Sequence, residues 1–290
     1  MKLKAIILVL GGICVLFSAS CDKEQYKNDI PAYITIQSYE IDSVPGPIEL
    51  VTTNVQDAWV SVNGELQGAF ELPASFPVAK TGAVTIRVQP GILKSGISTL
   101  RGVYPYYTDF ELTGYQLEPG VDHTITPYLS YRDDISIFVA WQEDFEEIGS
   151  NLNYHIDSDT VVVQVQDSLE AAQGSNYGII RMDENDAFFE LYSIPLTDLP
   201  ANGTPVFLEM DYKTNHFFFV GLYSDNRTVQ ESLYGYRAKD ENWNKLYIDF
   251  TDAIFNKRTS EDFNIFIGFQ KDPGIPEVTM KIDNIKLLHL

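Results

Sequence analysis

Few residues in this chain are placed to do covalent chemistry. Its histidines are His123, His155, His216 and His289, and none is spaced from another as a metal pair or sits in an evident triad. The two cysteines, Cys14 and Cys21, both lie at the extreme N-terminus, so disulfides and thiolate metal sites are excluded from everything after Cys21. No Gly-x-Ser-x-Gly elbow and no glycine-rich phosphate loop is present. Carboxylates are abundant, with 41 Asp and Glu against 20 Lys and Arg and a net charge of -21. Glycoside hydrolysis needs two carboxyl groups roughly 5–10 Å apart. Glu190, Glu209, Asp211 and Asp249 fall on strand-like segments, but Glu209 and Asp211 alternate with Leu208 and Met210 and read as an outward polar face. The chain is therefore read as non-catalytic. Its acidity repels phosphate backbones and excludes nucleic acid as a partner.

Aromatic residues make up 13% of the chain, and they offer binding rather than catalysis. The C–H face of a sugar ring stacks on an aromatic face while nearby polar groups fix its hydroxyls. Tyr212, His216, Phe218, Tyr234, Tyr236, Arg237 and Trp243 form the expected ligand-binding set, with Tyr223 and Asn242 in the same pool. Phe217, Phe218 and Phe219 cannot all face a core from one strand, so Phe218 must point opposite to its neighbours. Tyr104-Pro105-Tyr106-Tyr107, close to Arg101, is either a recognition surface for an envelope protein partner or a packing surface between the two halves of the chain.

These side chains must be positioned by strands. Candidate strands separated by Gly, Pro, Asn and Asp follow one another, and no heptad or long amphipathic helix interrupts them. The expected architecture is all-β: a small N-terminal β-sandwich over residues 33–134 and a C-terminal β jelly roll over 135–290. In the first, strands are expected at Tyr33–Ser38, Ile48–Thr52, Ala58–Val62, Val84–Gln89 and Phe110–Leu112, with a tight turn at Asn63-Gly64. The second opens at Phe138-Val-Ala-Trp141 and has eight or nine strands, expected at Thr160–Val165, Tyr177–Met182, Ala187–Leu191, Val206–Lys213, Phe217–Tyr223, Lys245–Phe250, Asn264–Gln270 and Val278–Leu288, with one short helix or turn between Asp249 and Phe255.

The N-terminus carries Lys2 and Lys4, an apolar run from Ala5 to Phe17, and Ser18-Ala19-Ser20-Cys21. The run is about 13 residues, short of the ~20 that span a bilayer. It resembles a lipoprotein signal peptide over 1–20, departing from the commonest lipobox at Ser18 where Leu is preferred. The resemblance implies cleavage before Cys21, lipid on that cysteine, a tether over 21–32, and an outer-membrane location. Asp22, Lys23 and Glu24 resemble the surface-export signals of Bacteroidota lipoproteins, although a periplasm-facing leaflet stays open.

Trp59-Val-Ser-Val-Asn-Gly, Gly68, Pro73 and the strand from Gly82 resemble the PEGA module, with an unrelated immunoglobulin-like sandwich as the alternative. Asp144-Phe-Glu146, Phe207 to Tyr212, Trp243 to Asp249 and the closing Ile282-Asp-Asn-Ile285 resemble jelly-roll carbohydrate-binding and galactose-binding-like domains. That resemblance implies a glycan ligand. It also implies a structural Ca2+ joining an early strand to the last, at Asp144, Glu146 and Asp283.

Overall fold

The computed structural model describes residues 30–42, 48–237 and 242–290. The export segment, Cys21 and most of the expected tether lie outside the described residues. The fold is all-β, with one short helix, Thr251–Asn256, among the described residues.

The N-terminal module stacks two sheets. Ala32–Ile36 pairs antiparallel with Ala74–Val78 and parallel with Asp122–Thr124. The facing sheet is centred on Gly82–Leu93, which pairs with Asp57–Val62, Arg101–Val103 and Phe110–Leu117, while Glu65–Glu71 extends the other edge. Alternation decides which side is buried. Ala58, Val60 and Val62 are fully buried against Ile34, Ile36, Ile86 and Val88, and Phe70 stacks on Phe76 at 3.7 Å. The turn forms where the sequence places it. Asn63 and Gly64 both take positive φ, and the Asn63 side-chain oxygen accepts a bond from the Thr85 N–H.

The C-terminal module is a jelly roll of two antiparallel sheets. One is centred on Val278–His289, flanked by Asn176–Met182 and Val206–Thr214, with Val163–Gln166 and Asn244–Asp249 outside these and Phe138–Glu143 pairing the same central strand. The other runs Asn153–Tyr154, Phe188–Tyr192, Phe263–Gln270, Phe218–Ser224, Val229–Tyr236. Between them lies the main core, where Leu191, Val220, Leu222, Ile265 and Ile267 meet Ile180, Leu208, Met210, Ile248 and Ile282.

The N-terminal module covers the outer face of the six-stranded sheet. Tyr104, Tyr106, Tyr107 and Tyr131 are buried there with Phe207, Tyr247 and Leu288. The Tyr104 ring lies 4.7 Å from Tyr107 and 4.8 Å from Tyr247. The tyrosine cluster therefore packs between the halves of the chain. The expected strand Ile48–Thr52 does not form. This segment is a strap across the junction: Ile48 and Leu50 pack on the tyrosines, Lys286 Nζ donates to the Glu49 carbonyl, and the Thr52 hydroxyl donates to Asp211 Oδ2 at 2.6 Å.

Glu209 and Asp211 do face away from the sandwich core, as alternation requires, yet the covering module buries them. A buried carboxylate is costly unless it is bonded and paired. Glu209 Oε1 accepts the Tyr104 hydroxyl at 2.6 Å and the Tyr131 hydroxyl at 2.9 Å, and Oε2 pairs with Lys245 Nζ at 3.2 Å. Asp211 also accepts from Asn284 Nδ2 and lies 3.9 Å from Lys245. Burial alone would lower the Lys245 pKa, but Asp211 and Glu209 more than reverse this and hold the ammonium charged.

Candidate functional site

With one face of the jelly roll occupied by the N-terminal module, the outer face of the five-stranded sheet is the side left to solvent. Three strands build it by alternation. Val220 and Leu222 turn inward, so Phe219, Gly221 and Tyr223 turn out. Phe189 and Leu191 turn inward, so Phe188, Glu190 and Tyr192 turn out. Ile265, Ile267 and Phe269 turn inward, so Phe266, Gly268 and Gln270 turn out. The register sets Phe219 opposite Gly268, which is itself opposite Glu190, and sets Gly221 opposite Phe266, which is itself opposite Tyr192.

The Phe266 ring lies against Gly221, where an added Cβ would stand 2.5 Å from it, and forms a buried floor. Tyr223 stands beside that floor, 5.1 Å from Phe266 and 6.2 Å from Tyr192. Its hydroxyl donates to Glu190 Oε1 at 2.5 Å, and Gln230 Nε2 donates to Glu190 Oε2 at 2.9 Å. Burial first, then the bond to Glu190, raises the Tyr223 pKa well above the ordinary phenol value, so its proton stays in place. Glu190 is thus a fixed acceptor, restrained from both sides. The rim carries Phe188, edge-on to His155 at 5.5 Å, and Tyr192 with the Arg227 guanidinium 4.5 Å above its ring. Asp225, Asn226 and Arg227, all at positive φ, form the turn that returns Arg227 over the sheet.

The other end of the same face opens into a cavity of about 430 Å³ whose lining includes Phe217, Phe219, Arg237, His216 and Lys271. The Phe217 and Phe219 rings meet edge to face at 4.7 Å, and Phe219 is 42% exposed. Phe217 lies over Gly235, where any side chain would strike its ring. His216 is buried behind the cavity with both nitrogens engaged: Nδ1 bonds the Phe217 carbonyl at 2.7 Å and Nε2 accepts the Asp272 N–H at 3.2 Å.

Of the expected ligand-binding set, His216 and Arg237 reach this cavity. Tyr212, Phe218 and Tyr236 do not belong to a binding surface. Phe218 does oppose Phe217 and Phe219, but the side it takes is the core, where its ring lies 5.0 Å from Tyr212 and 5.4 Å from Tyr236. Tyr234 is half-buried on a separate cleft between the modules, beside Leu100 and Asp252. Trp243 donates its indole N–H to the Glu170 carbonyl and meets Tyr177 edge-on, away from the five-stranded face. Tyr223 is the pool member that borders the floor. Phe188, Tyr192 and Phe266 went unrecognised, although their period-2 placement against Phe189, Leu191 and Ile267 was readable.

The four carboxylates considered for hydrolysis do not converge. Glu190 belongs to the five-stranded face, Glu209 and Asp211 to the junction, and Asp249 pairs with Lys94 at 3.6 Å. The expected calcium ligands all accept hydrogen bonds. Glu146 Oε1 accepts the N–H groups of Ser175 and Asn176. Asp283 accepts those of Asn284, Ala172 and Gln173. Asp144 turns to Gln142 Nε2 and the Glu146 N–H. The carboxylates face hydrogen-bond donors, and no group of three metal-ligating acids or histidines is gathered among the described residues. Glu146 and Asp283 clamp the loop at 172–176 directly, by accepting its N–H groups.

No family model matches the chain, and no curated protein matches it. Solved structures that it resembles include carbohydrate-binding modules. A family 22 xylan-binding domain is 14% identical, spanning 51% of this chain and 93% of its own, at a TM-score of 0.35. A family 11 module from Clostridium thermocellum, solved with a β-1,3-1,4-mixed-linked tetrasaccharide, is 16% identical, spanning 50% of this chain and 92% of its own, at 0.34. A structure from a study of promiscuous specificity among modules of the β-sandwich superfamily spans 90% of this chain and 99% of its own, at 13% identity and 0.38.

Proposed function

We propose that this chain is an exported, lipid-anchored protein of the bacterial cell envelope that holds a glycan on the outer face of its five-stranded sheet without acting on it chemically. One observation carries the binding reading: Phe217 and Phe219 beside the cavity, Phe188 opposite the cavity residue Gln270, and Tyr192 further along opposite Phe266 share a continuous sheet face with the fixed acceptor Glu190 and the amide of Gln230. Phe219 and Tyr223 are four residues apart, about 13 Å along the strand, a span suited to an oligosaccharide. Glu190 spends its bonds on Tyr223 and Gln230, which suits a positioning role better than an acid's. The anchor is supported by the sequence alone, through Lys2, Lys4, the apolar run and Cys21. Asp22, Lys23 and Glu24 favour the cell surface over the periplasmic leaflet.

The test is a glycan array probed with the mature chain from Asp22, beside Phe219→Ala and Tyr192→Ala. Truncating a central aromatic anchor costs about 2 kcal/mol, roughly thirty-fold in affinity. Binding that falls by that order in both variants supports the reading. Binding to nothing, or binding indifferent to both substitutions, defeats it.

A further inference from the structure

The cavity at one end of the face has a charge unlike the rest of the molecule. The chain carries 20 cationic side chains against 41 acids, yet Arg237 and Lys271 both line this one cavity. Neither has a carboxylate within 4 Å among the described residues, and Lys271 acts on Asp159 only at longer range, helping to hold its pKa down. The Arg237 guanidinium lies 5.7 Å over the Phe217 ring, and Lys271 Nζ donates to the Asp183 carbonyl, a neutral partner. His216 Nε2 faces Asp272, at 3.2 Å from its N–H and 3.6 Å from its carboxylate. Among the described residues Asp272 is the one carboxylate of the lining, and its side chain is 74% exposed to water.

The net charge of -21 does not forbid an anion here. At physiological ionic strength a charge is screened over about 8 Å, so a bound group responds to the cavity lining rather than to the distant surface. The lining combines exposed ring faces, which take the C–H side of a sugar, with two cations beside them. A guanidinium offers paired donors that match a carboxylate. We propose that this cavity is a subsite for an acidic sugar, a uronate residue whose ring lies on Phe219 and whose carboxylate meets Arg237 above Phe217, with Lys271 adding field.

The inference rests on the glycan-binding reading, and the experiment separates the two. Oligomers of galacturonate, glucuronate, mannuronate and guluronate are titrated calorimetrically into the mature chain, each beside its carboxyl-reduced neutral partner. Arg237→Gln and Phe219→Ala are measured in parallel. Arg237 is exposed, so its substitution leaves the melting temperature unchanged. The expected result is a preference of at least ten-fold for one or more uronates over the neutral partner. That preference shrinks between 50 and 500 mM salt and disappears in Arg237→Gln, where the uronate and its neutral partner bind equally. Equal affinity for both partners overturns the acidic subsite while leaving glycan binding in place, as long as Phe219→Ala weakens both. A preference that survives in Arg237→Gln also overturns it. Failure of every sugar in this panel overturns the acidic subsite, and the glycan array then decides the glycan-binding reading.

Discussion

Replacing Lys245 with methionine tests whether the junction between the modules is held by its buried charges. The ammonium lies 3.2 Å from Glu209, 3.9 Å from Asp211 and 3.1 Å from the Thr52 hydroxyl, with the Lys245 side chain 5% exposed and that of Glu209 fully buried. At an effective dielectric near 20, those two separations correspond to about 5 and 4 kcal/mol of gross attraction. Desolvation offsets much of this, which is why deleting such pairs by replacing both partners with apolar groups is often neutral. Deleting the cation alone is different. It leaves Glu209 and Asp211 buried, close together and uncompensated, and breaking a buried pair in this way costs about 3–5 kcal/mol.

Urea unfolding at pH 7 is the assay, with the free energy taken from midpoint and slope. Lys245→Met should lose about 3 kcal/mol or more. Adding Glu209→Gln should recover a large part of that loss, because the amide oxygen still accepts from Tyr104 and Tyr131 while one orphaned charge is gone. Tyr104→Phe alone removes one bond to a charged acceptor and should cost about 1.5–3 kcal/mol. A loss below about 1 kcal/mol for Lys245→Met, or a double variant no more stable than the single, would refute the account. The pH sign follows from the raised Lys245 pKa. The contribution is complete below the unfolded lysine value of about 10.4 and is lost as pH rises through the higher folded value, so acidifying from pH 9 to 7 leaves it untouched.

Asp283 gives a second pH test with the opposite practical range. Burial, with Asp211 as a further contributor, outweighs its backbone hydrogen bonds and raises its pKa to about 7. The folded state therefore favours the protonated form. Its stability is fully present below the unfolded value near 3.9 and declines as pH rises towards and through 7, so the protein should resist urea better at pH 5.5 than at pH 8, with Asp283→Asn flattening the slope. A slope unchanged by that substitution would assign the dependence to another group. Gly221→Ala would place a methyl 2.3 Å from the Glu231 carbonyl oxygen and 2.5 Å from the Phe266 ring. Overpacking of this kind costs about 1–3 kcal/mol, measurable as a lowered melting temperature, and retention of wild-type stability would show that Phe266 does not form the floor described.

The strand pattern was legible because alternation fixes faces. Val206–Thr214, Phe218–Ser224, Phe263–Gln270 and Val278–His289 lie within a residue or so of where periodicity puts them, and the short helix falls next to Asp249 as anticipated. Alternation does not say which of two faces is wet. Phe218 was rightly set against its neighbours and then given the wrong side, since both faces of its strand are aromatic. The edge strand Val229–Tyr236 passed unnoticed because its polar residues, Gln230, Glu231 and Ser232, serve a solvent edge instead of a core. Glu209 and Asp211 show the complementary limit. Their outward direction was readable, but their burial depends on Tyr104 and Tyr131, about 80 to 105 positions away, and no local pattern announces such a cover.

The tyrosine junction also constrains how this protein can have evolved. Many β modules are passed between proteins as interchangeable parts, because each closes its own surface. Here neither half does. A jelly roll transplanted alone would carry Glu209, Asp211 and Lys245 to a surface they were not selected to occupy, and the N-terminal module would display Tyr104, Tyr106, Tyr107 and Tyr131 to water. The pair is therefore one physical unit, and a substitution in one half at the seam calls for a matching change in the other.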